Sequence, residues 1–197
     1  MKTRLLCCAI LICAASSGHA QAPPATVSAA AQIASAISAL PEEFRATATV
    51  LGYASASSKL DELRRGTGPY ICLADDPSDD RFHVACYHSS LEAFMARGRE
   101  LRAQKVANVD SARYAEIEAG KLKMPSQPAA LYSLTGKPEA FDPATGAVTG
   151  ARPLYVVYLP FATPETTGIP AKPGENTPWL MFPGTPKAHI MFVPRMQ

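Results

Sequence analysis

The sequence predicts an α+β fold: a mainly antiparallel sheet of about five strands, two central helices and an N-terminal helix. Three observations predict it. Helical periodicity is confined to a short N-terminal stretch and to the middle of the chain. Runs rich in β-branched and aromatic residues lie on both sides of that middle. No strand–helix–strand alternation repeats, which argues against a doubly wound parallel sheet.

The first residues, Met1-Lys2-Thr3-Arg4, are basic. The apolar run Leu5 to Ala15 follows, then Ser16-Ser17-Gly18-His19-Ala20. A basic head, a short apolar run and a small-residue end are the parts of a secretory signal peptide. The apolar run is about eleven residues, too short for a bilayer, which takes roughly 20. The predicted leader is 1–20, cleaved after Ala20, which gives a periplasmic or secreted protein with no transmembrane anchor after cleavage. The whole chain has 19 basic and 17 acidic residues, and losing Lys2 and Arg4 leaves a net charge of zero. A neutral chain lacks the positive field that nucleic-acid binding requires. Cleavage also removes Cys7, Cys8 and Cys13, so Cys72 and Cys86 remain. In an oxidising compartment two cysteines are most simply one disulfide.

Residues 21–40 are rich in Ala and Ser, with Ile33, Ile37 and Leu40 at helical spacing. They are expected to form a surface helix or leader ahead of a single α+β domain over 41–197. Ala46 to Tyr53 and Tyr70 to Leu73 read as strands, with Lys59 to Arg65 a charged turn between them and Gly66-Thr67-Gly68-Pro69 a break. Ser89 and Glu92 have the spacing of a capping box and open a helix to about Lys105. A second helix runs from Asp110 as N-cap to Gly120. Ala129 to Leu134, Leu154 to Leu159 and Ala188 to Val193 are the remaining strands. Residues 160–186 hold seven prolines, which bars a central strand or a helix and predicts an irregular excursion.

Phosphate-binding loops, the G-x-S-x-G elbow, H-E-x-x-H and C-x-x-C are all absent from the sequence. Three places could carry chemistry. His83-Val84-Ala85-Cys86-Tyr87-His88 holds two histidines that, with His189, would make a metal site only if the fold brought all three together. On a strand His83 and His88 point to opposite faces. The loop Asp75 to Asp80 has four carboxylates but not the calcium-loop spacing. The aromatics Tyr132, Tyr155, Tyr158, Phe161, Trp179 and Phe182 collect in the C-terminal third. Those on strands are expected in the core, while Trp179 and Phe182 belong to the excursion.

The elements Cys72-Leu73-Ala74-Asp75-Asp76-Pro77, Pro178-Trp179-Leu180-Met181 and Gly184-Thr185-Pro186-Lys187-Ala188-His189-Ile190-Met191 resemble a family of exported bacterial proteins with no assigned function. The likeness extends over most of the mature chain, and G-T-P-x-A-H-I-M is its most distinctive part. The resemblance implies export and a single domain. It implies no reaction, cofactor or catalytic residue.

The functional expectation is a module that binds a small molecule between the excursion and the last strand, with Trp179, Phe182, His189 and Met191 lining the pocket. The alternatives are an enzyme with His189 or His83 as general base, assisted by a carboxylate of the acidic loop, and a structural protein of the cell envelope.

Overall fold

A computed structural model of the chain describes residues 27–53 and 59–194. The predicted leader, 1–20, and the start of the Ala/Ser-rich stretch lie outside the described residues. The described chain is α+β. Its eight strands form one sheet in the order β2-β1-β3-β4-β5-β6-β8-β7. The strands are β1 (Thr49–Gly52), β2 (Asp61–Arg64), β3 (Tyr70–Leu73), β4 (Phe82–His88), β5 (Ala129–Gly136), β6 (Arg152–Tyr158), β7 (Trp179–Met181) and β8 (His189–Phe192). The helices are α1 (Ala29–Ile37), α2 (Glu42–Arg45), α3 (Glu92–Ala103), α4 (Val109–Glu118) and α5 (Pro164–Thr167). The sheet is mixed rather than five antiparallel strands: β1 and β3 pair in parallel and every other pair is antiparallel.

That parallel pair has a local cause. The chain leaves β1, returns antiparallel as β2, and then crosses back over β1 to start β3. The crossover, Arg65 to Pro69, runs against residues 47–49. Gly66 N–H donates to Thr49 Oγ1 at 3.1 Å and Gly68 N–H to the Thr47 carbonyl at 2.8 Å. A Cβ on Gly66 would sit 2.2 Å from the Thr47 carbonyl oxygen. The Gly-Thr-Gly break is therefore a close backbone crossing that admits only glycine at position 66.

Helices cover both faces, so there are two cores. On one face α1 and α2 pack over β1, β3 and β4, with Leu40, Val50, Phe82, Val84 and the half-cystines buried together. Ile33 and Ile37 are only partly buried; Ala31, Gln32, Ser35 and Ala36 are the buried residues of α1, and Gln32 bonds the Tyr53 backbone just past β1. Small side chains let α1 sit close, and the Ala36 carbonyl oxygen lies 3.2 Å from Cys86 Sγ. Thus α1 belongs to the same packed unit as the sheet rather than preceding it as a surface leader. On the other face α3 and α4 pack Leu91, Phe94 and Ile117 against Tyr87, Val156 and Tyr158.

Several boundaries differ from the sequence expectation. The residues 61–64 form an edge strand, not a turn. The Ser89–Glu92 capping box does not form. Residues 89–91 make a 3₁₀ turn capped by His88, whose side chain accepts from Ser90 N–H, and Glu92 instead accepts from the Tyr87 hydroxyl at 2.5 Å. Asn108, not Asp110, caps α4. Gly120 does end it, in the left-handed conformation at φ 69°. The proline-rich excursion contains a four-residue helix, with Pro164 in its first turn where no amide donor is needed. It also contributes β7 at the sheet edge, where proline neighbours are tolerated. No helix among the described residues is long and apolar enough to cross a membrane.

Candidate functional site

One line of register crosses six strands. Val50 pairs with Cys72, Cys72 with Cys86, Cys86 with Tyr132, Tyr132 with Tyr155, and Tyr155 with Phe192. Paired residues share a face, so this row maps how that face is covered. Val50, Cys72 and Cys86 are fully buried beneath α1, while Tyr155 and Phe192 are each 41% exposed. Where helix cover ends, the row becomes an aromatic floor.

A groove of about 720 Å³ lies over that floor, with Tyr132, Tyr155, Val157 and Phe192 beneath and Pro173, Pro178 and Trp179 of the excursion at its side. Val193 and Pro194 bound it beyond β8. The excursion is held there by a tight turn with a bridge between Gly174 and Thr177 and by Leu180 N–H donating to the Pro170 carbonyl at 2.8 Å. Leu180 itself is completely buried and anchors the wall. The floor is rigid. Tyr155 meets Tyr132 edge-on at 5.5 Å between centroids, and Tyr132 meets Tyr70 at 5.9 Å. Burial, with Tyr132 beside it, pushes the Tyr70 pKa up to about 12. Among the described residues no charged side chain lines the groove.

Of the four residues expected to line a pocket, only Trp179 does so. Met191 pairs with Trp179 across the β7–β8 ladder. Phe182 and His189 pack together elsewhere, their ring centroids 5.7 Å apart, with Tyr158 5.0 Å from His189. His189 is 8% exposed, and its Nδ1–H donates to the Lys187 carbonyl at 2.8 Å. Burial holds its pKa below the ordinary imidazole value. Lys187 lies over the Phe182 ring and pairs with Asp110, which also binds Arg113. His189 is thus part of the packing that docks α4 on β8. Sequence reasoning had placed Tyr132 and Tyr155 in the core; apolar alternation along a strand marks them as one-sided, but which side stays open depends on where α1 stops.

The three histidines do not converge. His83 and His88 lie five residues apart on opposite faces of β4, about 16 Å along the strand. His189 is on β8, three strands away. Each ring has its own partner: His83 Nδ1 is 2.9 Å from Thr135 Oγ1, and His88 Nδ1 is 2.8 Å from Ser90 Oγ. Among the described residues no three His, Cys, Asp or Glu side chains are grouped to hold a metal. The acidic loop uses its carboxylates on its own backbone. Asp75 accepts from His83 N–H at 2.7 Å, Asp76 from Ser78 N–H at 2.9 Å, and Asp79 from Asp80 N–H at 2.8 Å.

His83 and the acidic loop do lie side by side. Both line a second cleft, about 810 Å³, between that loop and the C-terminal half of α3. Desolvation in the cleft lowers the His83 pKa. Tyr53 also lines this cleft, and burial followed by its acidic neighbour Asp76 raises its pKa. Cys72 and Cys86 form the predicted disulfide, directly opposite one another on β3 and β4. Against protein-family models, curated proteins and solved structures the chain finds no match, so its function is read from this geometry.

Proposed function

We propose that this chain is an exported binding module that takes an uncharged small molecule with a flat apolar face into the groove between the excursion and β8. One observation carries the reading: the exposed end of the Tyr132–Tyr155–Phe192 row is the floor of a concave site that no charged side chain lines among the described residues. Ligand pockets are typically 300–1,000 Å³, apolar and aromatic, with few polar groups. Here Asn176 and Thr177 are the polar side chains on the excursion side. The exposed aromatics Tyr155 and Phe192 line a hollow rather than a flat patch, which favours a ligand over a broad envelope contact. Export is supported by the predicted leader and by the disulfide, which an oxidising compartment favours.

Trp179 is the single tryptophan of the chain, so its emission reports on the groove. Titration with the uncharged dye N-phenyl-1-naphthylamine should give saturable binding and quench Trp179. Tyr155→Ala and Phe192→Ala should each weaken the dye about tenfold, the loss of one stacked ring, with thermal melting little changed because both side chains are exposed. Unchanged dye affinity in both variants would remove the groove as the site.

A second reading is catalysis by His83. It rests on the Nδ1–Thr135 contact, which orients the ring, and on the acidic loop sharing its cleft.

A further inference from the structure

The second cleft has a charge arrangement that the groove reading leaves unexplained. Its two long walls have opposite sign. The acidic loop contributes Asp76 and Asp79, and the end of α3 with the turn after it contributes Arg99, Arg102 and Lys105, together with Glu100, whose carboxylate is held by Arg97. The acids are already engaged: Asp76 with the Ser78 amide and hydroxyl, Asp79 with the Asp80 amide. Arg99 is engaged too, donating to the Tyr87 hydroxyl and to Glu92, each at 2.8 Å. The remaining cations are not. Among the described residues Arg102 and Lys105 form no ion pair, and neither does Lys59 across the cleft mouth.

The position of Arg102 sharpens the point. Desolvation, then the nearby guanidinium groups of Arg113 and Arg99, lower its pKa. Arg113 is 6% exposed and stacked on Phe94, so it cannot move away. The one acidic neighbour of Arg102, Asp110, is already paired with Arg113 and Lys187, and a cation so placed beside two others is stabilised by an arriving anion. The floor between the walls is apolar, formed by Leu73 and Ala85 of the sheet with Leu60 at one side.

We propose that this cleft is a site for a zwitterionic small molecule with an apolar body, a free amino acid or short peptide. Its carboxylate would meet Arg102 and Lys105, its ammonium would meet Asp79 and Asp76, and its side chain would lie on Leu73 and Ala85. A carboxylate holding backbone donors still has free lone pairs, so Asp76 and Asp79 can accept an ammonium without losing the loop. The site is separate from the aromatic groove and does not depend on the reading of that groove.

Calorimetric titration of the mature protein at low ionic strength tests it, with L-leucine and L-leucyl-L-leucine as probes. The carboxylate-only analogue 4-methylpentanoate and the amine-only analogue 3-methylbutylamine are the controls. One or both zwitterions should bind at millimolar concentration or tighter, and each single-charge analogue should be at least about tenfold weaker. Added salt should weaken binding. Arg102→Gln and Asp79→Asn should each weaken it about tenfold. Both retain the fold, since Arg102 is exposed and unpaired and Asn keeps the oxygen that caps Asp80; melting curves check this. Tyr155→Ala should leave binding unchanged, which separates this site from the groove. Absence of heat with both probes overturns the proposal. So does equal affinity for the carboxylate-only analogue, which would make the cleft a simple anion site, or indifference to both cleft substitutions.

Discussion

At the scale of single residues, the acidic loop divides into carboxylates that solvent and donors satisfy and one that they do not. Asp75 is partly buried, and its pKa is raised to about 6 by that burial, with Asp79 and Asp76 adding to it and the His83 amide opposing it. In the unfolded chain an aspartate titrates near 3.9. A folded-state pKa above the unfolded one means that folding favours the protonated form. The resulting stabilisation is complete below about pH 4 and is lost as pH rises through about 6. Asp75→Asn keeps the oxygen that accepts from His83 and removes the charge. It should raise the melting temperature at pH 7 and flatten the dependence between pH 4 and 6, with little effect at pH 4. Thermal unfolding of both proteins across that range measures it; a lower melting temperature for the variant at pH 7 would show that the carboxylate is stabilised by charge partners instead. Nothing in the sequence singles out Asp75 from the other three carboxylates of the loop, because burial of one loop carboxylate is set by the β3–β4 connection as a whole. His189 is the opposite case. Its apolar flanks were visible, but a buried ring among Tyr158, Phe182 and Lys187 is a packing residue, and only the register of β8 against β6 shows it.

At the scale of elements, what was legible followed from local periodicity. The helices α3 and α4, the left-handed Gly120 that stops α4, and the strands β5 and β6 all carry their own signals. The misread elements carry none. Asp61-Glu62-Leu63-Arg64 lacks an apolar face because β2 is an edge, held by the ladder to β1 and by Arg64, which donates to the Ala48 and Arg45 carbonyls. The strand β7 is hidden among prolines for the same reason. In α1 the buried residues are alanines, a serine and Gln32, so the visible isoleucine stripe points beside the contact rather than into it. The crossover at Gly66 is the element on which the mixed sheet depends. Three backbone atoms of residues 47–49 lie within 2.4 Å of where a Cβ would be, and backbone cannot rotate away as a side chain can. Gly66→Ala should cost roughly 3 kcal/mol, the upper end of overpacking, read as a lower urea midpoint. Gly120→Ala, a glycine with open space around it but a positive φ, should cost only about 1 kcal/mol. Equal losses at the two positions would mean that the crossing relaxes.

At the scale of the whole molecule, the two sheet halves differ because the helices on the α1 face are short. Eight strands span about 34 Å, whereas the nine residues of α1 reach about 14 Å. The covered half holds the disulfide with both sulfurs at 0% exposure; the open half becomes the groove once the excursion stands beside it. Location of the groove between excursion and last strand was legible, since proline bars regular structure there. Its floor was not, since it depends on which strands α1 fails to reach. This division also ties the disulfide to the compartment. With α1 docked, Cys86 Sγ lies against the Ala36 carbonyl and no oxidant reaches it, so the bond must form before or during folding. Chain lacking residues 2–20, made in a reducing cytosol, should therefore fold with both thiols free, its intact mass two hydrogens above that calculated for its own bridged form. The cross-link closes a short loop between strands that pair anyway, with a sequence separation of 14. Its chain-entropy contribution is about 3 kcal/mol. The cytosolic thiol form and an exported Cys72→Ala/Cys86→Ala variant should both unfold at lower urea than the bridged protein, by about that amount, with the slope of the transition altered only modestly. A cytosolic product already bridged, or thiol and bridged forms of equal stability, would break the link between compartment and fold.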